Sequence, residues 1–297
     1  MQSEAELYQE LLARLSQQQI FLSDKPEETP DSTLYALWHA AAGQPLSAQQ
    51  ALAQALPELQ PQQQSTLLHL IEQRLNGRPL AHLTMRQHFM NLEMLSDPVA
   101  LIPRKETELL GWTAVHLARE LTTEKNPITI VDVCTGSGNL AIAMAHHLPE
   151  SRVYASDLSE AAVDFARRSA THLGLDSRVQ FRCGDLMGPF ETEEFLGQID
   201  LLVCNPPYIT SAKVEQMPRE ISGHEPRMAF DGGPFGVAIL MRLLQEAPRY
   251  VRKGGWLAFE VGLGQGAALA KRMEKSFHEV NTVADETGAI RAIAARC

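Results

Sequence analysis

The chain has 297 residues, 44% of them hydrophobic, and a formal net charge of −10. That length and apolar content sustain a sizeable core and exclude global disorder. The acidic balance, with a pI of about 5.5, argues against a broad electrostatic footprint for nucleic acid, although a local basic groove remains compatible with it.

The start of the chain, Met1 to Glu6, has no basic segment leading into an apolar one, and no uncharged run is long enough to span a bilayer. A soluble, cytoplasmic protein is expected. Cys134, Cys183, Cys204 and Cys297 form no C-x-x-C pair, so neither a metal site nor a disulfide framework is expected.

Residues 1–82 read as a small helical docking domain. Leu7, Leu11, Leu12 and Leu15 share one face of a helix from Ser3 to Gln19. Asp31-Ser32 is expected to cap a second helix that stops at Gly43. Ser47 and Pro61 open two further helical segments, and Gly77 closes the last. Residues 83–103 read as a β-hairpin linker, with apolar residues from Phe89 to Ile102 around a polar break at Ser96-Asp97-Pro98. Arg104 reads as an exposed ion-pair residue, with a reach toward a cleft as the alternative. A helix follows from Glu106 to Glu120.

Residues 104–297 read as a catalytic α/β domain. Strand patterns at 128–134, 152–158, 179–185, 199–205 and 256–261 alternate with helix patterns at 139–147, 160–173, 237–251 and 265–277. Two short strands, 280–284 and 289–295, close the chain. Such alternation gives a mainly parallel sheet with helices on both faces, whose ligands bind beyond the carboxyl ends of the strands.

The informative residues lie at those ends. The first strand runs into Asp132-Val133-Cys134-Thr135-Gly136-Ser137-Gly138, a turn that lets backbone approach a ligand at a helix N-terminus. Asp157 ends the second strand, placed to accept ribose hydroxyls. Asp185-Leu186 ends the third, where a carboxylate suits an adenine amino group and Leu186 its ring. The loop matches neither G-x-G-x-x-G nor G-x-x-x-x-G-K-[ST], which favours a nucleoside without a phosphate chain. The fourth strand ends in Asn205-Pro206-Pro207-Tyr208. Two prolines cannot continue a ladder. The result is a stiff loop offering an amide, bare carbonyls and an aromatic ring, a set suited to gripping a planar –NH2 group.

Taken together, these motifs resemble class I S-adenosylmethionine-dependent methyltransferases, and more narrowly the HemK/PrmC family of protein glutamine methyltransferases. Arg78-Pro79-Leu80-Ala81-His82-Leu83-Thr84, Leu101-Ile102-Pro103-Arg104, Glu106-Thr107-Glu108, His224-Glu225-Pro226 and Gly232-Gly233 extend the resemblance across about residues 78–262. It implies a Rossmann-like seven-stranded sheet, S-adenosyl-L-methionine as cofactor, and class I peptide chain release factors as protein partner. The methylated atom would be the amide nitrogen of their Gly-Gly-Gln glutamine. Asp132, Cys134, Thr135, Gly136, Ser137, Gly138, Asp157, Asp185, Leu186 and Asn205 are then the expected cofactor-binding residues. Asn205, Pro206, Pro207 and Tyr208 are the expected substrate-binding residues, with Asn205, Pro206 and Tyr208 catalytic. No membrane and no direct nucleic-acid contact is expected.

The chain departs from the family pattern at Met85 and Cys134, where glycine is usual, at Lys105, where proline is common, and at Phe235, where aspartate precedes Gly236. Glu225-Pro226 and Gly232-Gly233 read either as a lid or as surface turns. Other readings fit parts of the pattern: a ribosomal-protein glutamine, a small-molecule amine or amide, or adenine in nucleic acid as methyl acceptor, and a non-enzymatic docking module.

Overall fold

A computed structural model describes residues 4–18, 25–122 and 127–297, which form two compact units. The expected ends of the first helix, Ser3 and Gln19, lie outside the described residues.

The first unit comprises the described residues up to Pro98, with Ile102–Arg104 and Pro218–Glu225. Its helices are α1 (Glu4–Gln18), α2 (Pro30–Ala41), α3 (Ala48–Leu52), α4 (Pro61–Leu75) and α5 (Leu80–Thr84). Leu7, Leu11 and Leu15 bury one face of α1 against Leu34, Leu37, Trp38, Leu67 and Ile71. Ser47 caps α3 as expected. The cap of α2 is Thr29 rather than Asp31-Ser32. Its hydroxyl accepts from the Ser32 amide, and the Ser32 hydroxyl accepts from the Thr29 amide. Pro30 explains the shift, since it has no N–H to lose at the first helical position.

The hairpin β1 (Arg86–Phe89) and β2 (Leu92–Leu95) turns at Met90-Asn91, not at Ser96–Pro98. Both turn residues have positive φ, 47° and 65°. This is the hand that matches strand twist in a two-residue hairpin, and Asn91 tolerates it. Arg104 is buried rather than exposed: its guanidinium pairs with Glu225 at 2.6 Å, and the other Glu225 oxygen accepts from the Ile102 amide. A second buried group joins Lys25, Glu28, Arg74 and Glu220, with three contacts of 2.8–2.9 Å.

The second unit opens with α6 (Thr107–Thr122) and β3 (Thr129–Val133). It continues through α7 (Asn139–His147), β4 (Arg152–Asp157), α8 (Glu160–His172), β5 (Val179–Cys183), β6 (Ile199–Cys204) and α9 (Ser211–Val214). The chain passes through the short helix α10 (Arg219–Ser222) of the first unit. It returns for α11 (Ala238–Tyr250), β7 (Val251–Glu260), α12 (Gly266–Met273), β8 (Glu279–Ala284) and β9 (Ile290–Arg296). The expected alternation is present almost element for element.

The sheet has seven strands in the order β5-β4-β3-β6-β7-β9-β8, parallel from β5 to β7, with β9 antiparallel to both neighbours. Helices α6, α7, α8, α11 and α12 pack on it. Continuous burial of β6 from Ile199 to Cys204 fits a central strand covered on both faces. The chain moves outward from β3 through β4 to β5, then restarts beside β3 with β6, so the strand order reverses between β3 and β6. A crevice forms at such a reversal. Trp38 and Trp256 are buried; Trp112 is 38% exposed and lies against His147. Among the described residues, no helix is long and apolar enough to cross a membrane.

Candidate active site

A cavity of about 580 Å³ opens beyond the carboxyl ends of β3 to β6. Its lining brings together Cys134, Thr135, Gly136, Ser137, Asp157, Asp185, Leu186, Asn205 and Pro207, all singled out in the sequence. A Cβ added at Gly136 would meet nothing within 4 Å, so the turn presents bare backbone to open space. Gly138 has a different task. Its φ is 79°, and a Cβ there would stand 2.9 Å from the Ala166 Cβ, so glycine lets this turn sit against α8.

The acidic residues divide the work. Asp132 lies beneath the turn, fully buried, and its Oδ2 accepts from the Thr135 hydroxyl at 2.6 Å. Burial pushes its pKa up to about 7, against the pull of the Thr135 hydroxyl. It shapes the loop and does not line the cavity. Asp157 does line it, with one oxygen accepting from the Gly136 amide at 2.8 Å and the other from the Ser159 amide at 2.9 Å. A carboxylate offers about four acceptor sites, so this fixed group keeps capacity for a ligand. Asp185 is held by both terminal nitrogens of Arg242, at 3.2 and 2.9 Å. Leu186 sits at φ 43°, buried, with its surface on the cavity.

The Asn-Pro-Pro-Tyr loop carries the decisive geometry. Asn205 donates from Nδ2 to the Thr107 hydroxyl oxygen at 3.2 Å. That bond orients the amide and leaves Oδ1 as the acceptor of a residue that lines the cavity. Tyr208 donates its hydroxyl to Glu260 Oε1 at 2.8 Å. Burial, then Glu260, raise the Tyr208 pKa well above the usual phenol value, which keeps it a donor. Pro206 is buried, and neither Pro206 nor Tyr208 lines the cavity itself.

Glycines let neighbouring backbone close on this loop. A Cβ at Gly232 would lie 2.6 Å from the Pro207 carbonyl oxygen, and one at Gly236 2.3 Å from the Tyr208 carbonyl oxygen. The Gly232 amide donates to the Ile209 carbonyl at 2.8 Å, and the Ser211 amide to the Gly233 carbonyl at 3.1 Å. Gly232-Gly233 is therefore a brace for the Asn-Pro-Pro-Tyr loop. Gln265 adds a strut, donating from Nε2 to the Tyr208 and Gly236 carbonyls at 3.1 Å each. Sequence reasoning assigned no task to Glu260 or Gln265. Their positions at the end of β7 and the start of α12 are the signal that could have found them.

Residues 130–224 match a family model described as a methyltransferase domain. The chain is 40% identical over 218 residues to a release factor glutamine methyltransferase of Moorella thermoacetica, covering 73% of this chain and 74% of the relative. The chain belongs to the release factor glutamine methyltransferase family. A second relative of the same name, from Geobacter sulfurreducens, is 32% identical over 239 residues, 80% of each chain. The fold is also that of the hMettl16 catalytic domain, at a TM-score of 0.54 and 13% identity over 76% of this chain and 81% of that one.

The departures from the family pattern have physical settings. Met85 and Cys134 both hold left-handed backbone, at φ 56° and 58°, the region where glycine is at ease. The turns are thus kept with a side chain added. Lys105 pairs with Glu108 at 2.6 Å. Phe235 is 82% exposed, and nothing in the structure explains its ring.

Proposed function

We propose that this protein acts in the cytoplasm as a methyltransferase that uses S-adenosyl-L-methionine. Its acceptor is the side-chain amide nitrogen of the Gly-Gly-Gln glutamine in class I release factors. The observation that carries this reading is the setting of Asn205, which lines the cavity with its Nδ2 committed to Thr107 and its Oδ1 left as the acceptor.

The cavity residues fit the cofactor. The Cys134–Gly138 turn offers bare backbone, Asp157 offers a carboxylate at ribose position, and Leu186 offers an apolar surface for a base. Asp185 keeps lone pairs for an exocyclic amine even while Arg242 holds it. When bound, the cofactor supplies a sulfonium methyl group as electrophile.

An amide nitrogen is a weak nucleophile because its lone pair is shared with the carbonyl. Asn205 Oδ1 and the Pro206 carbonyl each accept one N–H of the substrate amide, which fixes the nitrogen and directs its lone pair at the methyl carbon. Tyr208 lies outside the cavity lining and anchors the end of the loop through its hydroxyl bond to Glu260. With the cofactor held by the Cys134–Gly138 turn, Asp157 and Leu186, methyl transfer to this nitrogen would leave it cationic, and it would then shed one proton to solvent. Pro206 and Pro207 keep the loop stiff, so little ordering is left for the moment of reaction.

The direct test uses purified enzyme, labelled S-adenosylmethionine and an unmodified release factor. The expected result is one methyl on one glutamine, located by peptide mass spectrometry. A release factor that stays unlabelled while the enzyme binds cofactor would overturn the substrate.

A further inference from the structure

We infer that Arg242 is a positioning residue of the cofactor site: it holds the Asp185 carboxylate ready to accept from the exocyclic amine of adenine, and so sets the preference for an amino purine. This rests on the cofactor reading above and deepens it.

The two acids that line the cavity, Asp157 and Asp185, are not held alike. Asp157 is fixed by backbone, with one oxygen on the Gly136 amide and the other on the Ser159 amide. Asp185 has no such local support. Among the described residues, every hydrogen bond that its side chain receives comes from Arg242. The two terminal nitrogens of that guanidinium donate to Oδ1 at 3.2 Å and to Oδ2 at 2.9 Å. A carboxylate without this contact, with its side chain 52% exposed, would sample several rotamers. A ligand that used it would then have to order it, at a cost in affinity. The two-pronged contact removes that freedom, because it fixes the plane of the carboxylate as well as its position.

Arg242 comes from a helix that itself borders the site. Ile239, three residues earlier on α11, lines the cavity, and residues three apart share a helix face. Arg242 also meets Glu246, one turn later on the same helix, at 3.5 Å. Folding gives little reason for the contact with Asp185. The Arg242 side chain is 44% exposed, and ion pairs as exposed as this one contribute little to stability. What the pair yields is orientation. Each carboxylate oxygen keeps a lone pair after Arg242 has taken one, and a site built to accept from an N–H discriminates against a ligand that lacks it.

Calorimetry on the full chain tests this with two probes. One is S-adenosylhomocysteine; the other is its analogue with hydrogen in place of the 6-amino group. Wild type is expected to bind the amino form about 10- to 100-fold more tightly, the range for a hydrogen bond to a charged acceptor. Arg242→Met keeps an unbranched stem and removes the fork. It should bind the deamino probe within about twofold of wild type, while the preference for the amino form falls to about threefold or less. Arg242→Lys keeps the charge without the fork and should give an intermediate preference. Asp185→Ala should abolish the preference. The melting temperature of Arg242→Met should stay within about 3 °C of wild type.

A merely structural role would weaken both probes alike, so the ratio separates the two explanations. The inference is overturned if Arg242→Met keeps the wild-type preference, if it weakens both probes by the same factor, or if wild type shows no preference. If Arg242→Met loses its fold, Arg242→Lys decides by the same ratio, and an unchanged ratio there overturns the inference. Wild type that binds neither probe overturns the cofactor reading itself, and the inference with it.

Discussion

Asn205 shows how much a single side chain can carry. Its Nδ2 bond to Thr107 spans 98 positions in sequence, so its place at the end of its strand was legible but its orienting partner was not. Asn205→Ala removes the acceptor while leaving the Cys134–Gly138 turn, Asp157 and Leu186 in place. The expected effect is a fall in kcat of about 10²- to 10³-fold, as for loss of one preorganised hydrogen-bonding group. Cofactor affinity measured by calorimetry should change little. The acids repeat the lesson. Asp132, Asp157 and Asp185 stand at strand ends as the spacing required, yet one supports the loop, one lines the cavity and one is engaged by Arg242. Those divisions depend on burial and on long-range partners, which periodicity does not report. Cys134 offers a sharper test, because its φ of 58° costs a non-glycine residue about 1–2 kcal/mol. Cys134→Gly relieves that and gives up some packing at Cys204, so it should stay within about 1 kcal/mol of wild type. Cys134→Val adds β-branching in the same region and should lose about 2 kcal/mol or more; urea unfolding separates the two.

At the scale of elements, the second unit was legible because each strand and helix announces itself by composition and ends at glycine, proline or a capping residue. Missed features turn on chemistry with weaker signals. Met90-Asn91 forms a two-residue turn without the glycine that usually marks one, and Thr29 caps α2 from a position that Asp31 and Ser32 obscured. The braces around the Asn-Pro-Pro-Tyr loop are another such case. Glycines at 232 and 236 read as ordinary turn residues until the carbonyls of Pro207 and Tyr208 are seen against them. Because a Gly236 Cβ would stand 2.3 Å from the Tyr208 carbonyl oxygen, which is backbone and cannot rotate aside, Gly236→Ala must move the Asn-Pro-Pro-Tyr loop. The expected cost is about 1–3 kcal/mol of stability, as for other overpacking substitutions. A loss of kcat of about tenfold or more should accompany it. Gly43→Ala serves as the control: it also replaces a glycine of positive φ, but its Cβ meets nothing within 4 Å. It should cost only the backbone term, with kcat unchanged.

For the whole molecule, the strand order and its reversal between β3 and β6 follow from alternating elements and right-handed crossovers, and they place the cavity where the motifs converge. What the sequence conceals is that the chain leaves the second unit after Met217 and contributes Pro218–Glu225 to the first. Nothing in that stretch differs in composition from a surface turn. Its membership is decided by charge. Glu220 meets Lys25 at 2.8 Å and Arg74 at 2.8 Å, and Arg74 also holds Glu28 at 2.9 Å. Burial works against ionised Glu220, but Lys25 and Arg74 outweigh it and hold its pKa below the usual carboxylate range. Two cations and two anions balance, so removal of one acid leaves an unmatched positive charge in a buried setting. Glu220→Gln should therefore destabilise the protein by about 3–5 kcal/mol, the range for breaking a buried ion pair from one side. Combining it with Lys25→Met restores the balance, leaving Arg74 with Glu28, and should recover much of that loss even though it deletes a second charge. Denaturant midpoints for the two single variants and the double variant decide the matter. If the double variant is no better than the additive sum of the singles, charge balance is not what keeps this segment in the first unit.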